Sequence, residues 1–328
     1  MRVLVTGAGS MLMGATVTEL ARRGDEVVCL QRRPLAFAPD TGIRSISADV
    51  RDVDAVTRAA EGCDAVIHGA ARVGVVGTYD DFHSVNVGGT DAIITACRHH
   101  GIGRLVHVST PSVAHVGEPL AGATATPATT GRPRARYAET KAIAEQHALA
   151  ACDDSLAVVA IRPHLVWGPG DTQLVGRIVE RARAGRLAIV GSGAALIDST
   201  YVDNAADALL AAVDAIHPGA RCAGRPYVIA NGEPRTVAEL FDGICAAAAV
   251  SARPRHVPVR AALVVGSVVE RLWPIVRRDE PPITRFVAEQ LATSHWFDPR
   301  PAHDDLGWSP RVSLAEGFAR LARWYAER

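Results

Sequence analysis

The chain lacks net charge: 35 Lys+Arg stand against 35 Asp+Glu, which argues against nucleic acid or an anionic membrane as its main partner. It is poor in cysteine. Cys29, Cys63, Cys97, Cys152, Cys222 and Cys245 are scattered along 328 residues with no CxxC pair. With no signal peptide expected ahead of them, they fit a reducing cytoplasm, and they read as small buried hydrophobes in preference to ligands brought together by folding. The twelve histidines show no HExxH or comparable ligand spacing, so no metal is expected. Long apolar runs are missing too. The stretch Ala261 to Val269 is followed by Glu270 and Arg271 and is too short to cross a bilayer as a helix, so no transmembrane anchor is expected. There are no internal repeats and no low-complexity tracts. What remains is a chain with 48% hydrophobic residues, enough to bury the core of one large α/β domain, or of that domain plus a smaller lobe.

The apolar pattern alternates between the two periods. Arg2 to Thr6 reads as a strand and Ala15 to Arg23 as a helix closed by Gly24. Glu26 to Leu30 is a strand, Asp54 to Glu61 a helix, and Ala65 to His68 a strand. A helix near Gly89 to His100, a strand at Arg104 to Ser109, a helix at Ala138 to Ala151 and a strand at Ala157 to Arg162 continue the series. This predicts a doubly wound parallel sheet, covered by helices on both faces. After Pro163 the regularity breaks. We expect residues 1–165 to form a dinucleotide-binding domain and 166–328 mainly a substrate lobe that returns elements to the sheet, as at Arg225 to Ala230. Residues 118–135, rich in Pro, Thr, Gly and Ala, read as a surface loop.

The first strand runs straight into Thr6-Gly7-Ala8-Gly9-Ser10-Met11-Leu12-Met13-Gly14 and a helix, which brings backbone N–H groups and a helix N-terminus to where a pyrophosphate can sit. A tight turn without a ligand is the plain alternative. Gln31-Arg32-Arg33 follows the second strand, where cations hold a 2′-phosphate and a carboxylate would hold ribose hydroxyls, so NADP(H) is favoured over NAD(H). Asp49-Val50, after the third strand, lies where an adenine would rest.

Tyr137 and Lys141 are four apart on a predicted helix and share a face. A tyrosine with a pKa of about 10 is a poor acid near neutrality, and a nearby ammonium stabilises its phenolate. An ordinary surface pair is the alternative. Order along the chain favours chemistry: the glycine turn comes first, then Val106-His107-Val108-Ser109-Thr110 ending a middle strand, then the dyad. Thr110 at that strand end is placed to polarise a substrate carbonyl, with Ser109 and Ser112 as competing hydroxyls.

These pieces resemble the extended short-chain dehydrogenase/reductases along nearly the whole chain. The matching segments are Thr6-Gly7, Asp49-Val50, His68-Gly69-Ala70-Ala71, Asn86-Val87-Gly88-Gly89-Thr90, Ser109-Thr110, Tyr137-x3-Lys141, Arg162-Pro163, Gly168-Pro169-Gly170-Asp171 and Tyr201-Val202-Asp203-Asn204. The resemblance implies that Gly69, Ala70 and Ala71 line the cofactor, that Asn86 supports the catalytic region, that Lys141 also holds the cofactor ribose and that Pro163 runs beside the nicotinamide. Asn231-Gly232-Glu233-Pro234, Pro281-Pro282-Ile283-Thr284-Arg285-Phe286, Asp305-Leu306-Gly307-Trp308-Ser309-Pro310 and Leu314-Ala315-Glu316-Gly317 are similar to the 3β-hydroxysteroid dehydrogenase branch. That branch includes sterol 4α-carboxylate dehydrogenases and bacterial 2-alkyl-3-oxoalkanoate reductases. It implies redox chemistry at a C3-type alcohol or ketone of an apolar substrate, with the region Ala261 to Val276 either touching that substrate or a membrane surface, or serving as a core helix.

The glycine turn departs from the family's GxxGxxG: Ser10 and Met13 stand at the second and third glycine positions, with Gly14 one residue late. Met13 is expected to crowd the helix against the sheet, and Ser10 to bring a side chain near the pyrophosphate, with Gly9 and Gly14 as compensation. Two other functions stay open at this point. One is a nucleotide-sugar epimerase or dehydratase with tightly bound NAD; the other is a catalytically idle NADP(H)-binding regulator. A homodimer is left open.

Overall fold

The computed structural model describes residues 1–35, 42–74, 76–114, 118–131, 135–276, 281 and 283–328. The chain runs through β1 (Arg2–Thr6), α1 (Met11–Arg22), β2 (Glu26–Gln31), β3 (Ile43–Ser47), α2 (Val53–Ala60), β4 (Ala65–His68), α3 (Tyr79–His100) and β5 (Arg104–Val108). It continues through β6 (Leu120–Ala123), α4 (Arg136–Ala150), β7 (Ala157–Pro163), β8 (Val166–Trp167), α5 (Val175–Arg183), β9 (Ala188–Val190), β10 (Leu196–Ile197), β11 (Thr200–Tyr201) and α6 (Val202–Ala215). The last part holds β12 (Pro226–Ile229), β13 (Arg235–Thr236), α7 (Val237–Ala247), β14 (Arg255–Val257), α8 (Val259–Val276), α9 (Arg285–Ala292), β15 (His295–Phe297), α10 (Arg300–Leu306) and α11 (Leu314–Ala326).

Seven strands form a sheet in the order β12-β7-β5-β4-β1-β2-β3, every neighbouring pair parallel. Strands buried on both faces explain the continuous apolar runs of β1, β4 and β7. Strand order reverses between β1 and β4, so the crevice beyond their C-terminal ends is where this architecture takes ligands. One core joins α1 and α6 to β1, β4, β5, β7 and β12, and another lies between α2, α3, α4 and the opposite face. A further core, built on Trp167, α5, α7 and α11, belongs to the second half of the chain.

Three expectations are corrected. Helix α3 starts at Tyr79, ten residues before Gly89: Thr78 accepts from the Asp81 N–H and the Asp81 carboxylate accepts from the Thr78 N–H, a capping box that sets a helix start ahead of the apolar pattern. Gly88 and Gly89 therefore lie inside the helix, and Gly89 makes room for Val50, since a Cβ on it would lie 2.7 Å from Val50 Cγ1. The 118–135 stretch is not loop throughout, since Leu120 to Ala123 pairs with β15 in parallel; residues 132–134 of it, like Pro282, lie outside the described residues. Finally, helix α1 begins at Met11, four residues before the sequence suggests, because Ser10 caps it by accepting from the Met13 N–H.

The cysteines behave as small hydrophobes. Cys29, Cys63, Cys97, Cys222 and Cys245 are buried, and burial pushes the Cys29 and Cys97 thiols up to about 12. No described helix is long and apolar enough to cross a membrane.

Candidate active site

A cleft of about 620 Å³ opens at the switch point between β1 and β4, lined by Gly7, Gly9, Ser10, Arg32, Arg33, Asp49, Val50, Ala70 and Ala71 among others. Gly7 is required there. Its φ is +76°, and a Cβ would lie 2.9 Å from the Ala70 backbone, so any side chain would block the close approach of two chain segments. Arg32 and Arg33 are exposed at the end of β2, and their backbone is tethered: the Ser47 hydroxyl donates to the Arg32 carbonyl at 2.9 Å, and the Gln31 amide donates to that of Arg33. The Arg51 side chain, through its hydrogen bonds, holds the Asp49 carboxyl below its ordinary value.

Met13 does not crowd helix from sheet as the sequence suggests. It is 1% exposed and lies over Gly69, where a Cβ would come 2.7 Å from Met13 Cγ and closer still to its sulfur. Gly69 thus supplies the space that a glycine on α1 would otherwise provide. Gly14 does not compensate: a Cβ there would meet Ala8 O at an ordinary 3.5 Å. Ser10 acts as the N-cap of α1 while facing the cleft. Leu12 is partly buried against the core that joins α1 and α6 to the sheet, and Met11 against the core built on Trp167.

Asn86 is 1% exposed and fully engaged by protein. It accepts from the Arg72 N–H at 2.7 Å and donates to the Arg72 carbonyl at 3.2 Å and to Thr140 Oγ1 at 2.9 Å, so it braces α4 instead of facing the cleft.

Helix α4 carries Tyr137, Lys141 and Glu145 one turn apart. Glu145 and Arg162 form a buried bidentate pair, with Nε to Oε2 at 2.8 Å, which fastens α4 to β7 while Arg162 Nη1 donates to Thr126 O at 2.8 Å. Lys141, 3% exposed, donates to Val108 O at 2.6 Å and approaches His107 Nε2 at 3.4 Å. Burial lowers it to about 8, with the Glu145 charge acting the other way. Tyr137 is partly buried, and burial pushes its phenol up to about 12 against a hydrogen bond with Thr110 that acts to lower it. The spacing of four suggests a lysine that lowers the tyrosine; in the structure desolvation outweighs every other influence on both groups. Thr110 Oγ1 also accepts from the Ser112 N–H at 3.3 Å, and Ser109 Oγ is buried with no partner among the described residues.

Beyond Tyr137 and Thr110 opens a pocket of about 420 Å³. Its lining includes Pro163, Leu165 and Ile178, then Phe241 of α7 and Phe286 and Leu291 of α9, with Arg177 and Arg181. No described residue of α8 lines it; that helix turns Val264, Val265 and Val268 to solvent.

A switch-point cleft leading to a Tyr-Lys helix and a strand-end threonine is the arrangement of a dinucleotide-dependent dehydrogenase or reductase. Residues 4–254 match the 3-beta hydroxysteroid dehydrogenase/isomerase family, and the chain belongs to that family. It is 48% identical over 324 residues to a 2-alkyl-3-oxoalkanoate reductase of Stenotrophomonas maltophilia, covering 98% of both chains. A 2-alkyl-3-oxoalkanoate reductase of Shewanella oneidensis is 39% identical, with 97% of this chain and 84% of that one covered. Among solved structures, MoeE5 in complex with UDP-glucose and NAD superposes with a TM-score of 0.76 at 26% identity, covering 100% and 99% of the two chains. The chain is an extended short-chain oxidoreductase that uses NAD(P) at a carbonyl or hydroxyl group, and the epimerase alternative is less supported.

Proposed function

We propose that the protein reduces the ketone of a 2-alkyl-3-oxoalkanoate-like acid with NADPH, with Tyr137, Lys141 and Thr110 as its catalytic residues. The observation that carries this reading is the presence of Thr110 and Tyr137 together in the lining of a mostly apolar pocket that also contains Arg177 and Arg181 and, among its described lining residues, no carboxylate. An alkyl chain fits the apolar wall, while a buried carboxylate needs a cation. The names of the relatives from Stenotrophomonas and Shewanella support an oxo acid.

A bound NADPH would supply the hydride that the carbonyl carbon accepts. Gly7, Gly9, Ser10, Met11 and Leu12 would hold its pyrophosphate at the head of α1, Arg32 and Arg33 its 2′-phosphate, Asp49 and Val50 its adenine end, and Gly69, Ala70, Ala71 and Pro163 its remaining length. The glycine approach at Gly7 and the two tethered arginines fit such a group. Tyr137, which burial keeps protonated well into alkaline pH, gives its proton to the carbonyl oxygen as the alcohol forms, and Thr110 polarises that oxygen. Lys141 places a positive charge beside the transfer and would hold the ribose. Residues beyond 165 supply most of the pocket and act as the substrate lobe.

Fluorescence titration should show tighter binding of NADPH than NADH, and a 2-alkyl-3-oxoalkanoate should drive NADPH oxidation. Tyr137→Phe should keep cofactor binding and lose about 10²–10⁴ in kcat, the usual worth of a positioned acid. Full activity in that variant would remove the mechanism, and turnover of a UDP-sugar without added cofactor would favour the epimerase.

A further inference from the structure

Two histidines lie under the catalytic helix, and the mechanism above uses neither. His68, on β4, and His107, on β5, are 1% and 0% exposed, with ring centroids 5.6 Å apart. Their hydrogen bonds assign their tautomers. Thr6 Oγ1 accepts from the Ala70 N–H at 3.1 Å, so its own proton is available to His68 Nδ1 at 2.8 Å. Thr90 Oγ1 donates to Asn86 O at 2.7 Å and therefore accepts from His68 Nε2–H at 3.2 Å. His68 is a neutral, fully bonded bridge from the glycine turn to α3.

His107 differs. An ammonium can only donate, so the approach of Lys141 Nζ to His107 Nε2 at 3.4 Å, long for a hydrogen bond but within reach, makes Nε2 the acceptor and leaves the proton on Nδ1. That Nδ1 has no partner among the described residues. Leaving a buried donor unmet is a penalty that a hydrocarbon side chain in the same strand would avoid.

We propose that His107 is a positioning residue: its neutral Nε2 and the Val108 carbonyl take two of the three N–H groups of Lys141 and so leave the third for the cofactor side. The inference rests on Lys141 acting in catalysis. Around the ammonium stand Tyr137 one turn before it and Glu145 one turn after, the latter paired with Arg162 of β7, with His107 of β5 nearest and His68 of β4 behind it. Burial and the Lys141 charge both disfavour protonation of His107, so the aim of the lysine holds across the working pH range.

The test compares His107→Leu with His107→Gln, whose amide oxygen can take the place of Nε2, on any ketone the wild type reduces with NADPH. Loss of the acceptor favours the neutral amine. The leucine variant should therefore lose about tenfold in kcat with little change in KM, and the alkaline fall of its kcat–pH profile should move to lower pH. The glutamine variant should recover most of both. A histidine that merely fills space predicts the reverse order, leucine active with an unshifted profile and glutamine the poorer, and that order overturns the proposal, as would two variants indistinguishable from wild type. Should either variant fail to fold, ¹⁵N spectra of wild-type histidines decide: His107 protonated on Nδ1 supports the proposal, and His107 protonated on Nε2 overturns it. A Tyr137→Phe enzyme that keeps full turnover would instead remove the catalytic reading on which this inference rests.

Discussion

At the residue scale the site is built by burying groups that prefer water. Lys141 sits almost wholly inside the protein, and burial lowers it to about 8 from an unfolded value near 10.4. The folded state therefore disfavours its charge. Below about pH 8 the lysine is protonated in both folded and unfolded chains and the burial penalty is present in full; above about 10.4 it is neutral in both and the penalty is gone. Lys141→Met, which fills similar space without charge, should thus be inactive yet more stable than wild type at pH 7. Its advantage in urea unfolding should shrink as pH rises from about 8 to about 10.4. An equal or lower stability at pH 7 would mean that the bonds to Val108 and His107 outweigh the desolvation. The phenol of Tyr137 is shifted the other way by the same cause, which keeps it protonated through neutral and alkaline pH.

At the scale of elements, the altered glycine turn shows how a packing problem moves from one element to another. The contact between α1 and β4 needs one small residue. Here it is Gly69, just past β4, with Met13 filling the space from α1. Gly69→Ala should destabilise the fold, because Met13 would have to leave a fully packed position, and Met13→Ala alone should cost about 2–5 kcal/mol through the cavity it leaves. The double variant should be more stable than the sum of the two predicts, since the new methyl enters the vacated space. Strict additivity in thermal unfolding would show that the two side chains do not share that volume. The motifs of the C-terminal half act in the same structural way. Asn204 accepts from the N–H groups of Arg311 and Val312, both at 2.9 Å, and donates to Asn231, so the chain's return to α6 hangs on two buried amides. Asp171 accepts from the N–H groups of Gln173, Leu174 and Val175 and sets the start of α5, the helix that carries Arg177.

At the scale of the whole molecule, the parallel sheet brings the hydroxyl-bearing end of β5 and the dyad of α4 to one edge, and the second half of the chain lays a mostly apolar wall across from them. On the proposed function, substrate choice belongs to the wall and not to the dyad. Arg177→Leu should lower kcat/KM for a 2-alkyl-3-oxoalkanoate by about 10–100-fold, the worth of a charge-assisted hydrogen bond of about 1.5–3 kcal/mol. It should leave the methyl ester of the same compound within about twofold. Equal losses on acid and ester would mean that Arg177 shapes the pocket without meeting the carboxylate.

The sequence by itself determined the sheet, because alternation of short buried β-branched runs with 3.6-period segments leaves few other architectures, and it singled out Gly7, Arg32, Thr110, Tyr137 and Lys141 as candidates because strand ends and a spacing of four mark those positions directly. Only tertiary structure decided what lies under and across from them. The pairing of Met13 with Gly69, of His107 with Lys141 and of Glu145 with Arg162 joins residues 17 to 56 positions apart, and the pocket joins Thr110 to helices far along the chain. No periodic pattern encodes such contacts; they arise where strand register and helix packing bring separate segments within van der Waals reach, and desolvation at those contacts then sets the charge states on which the chemistry depends.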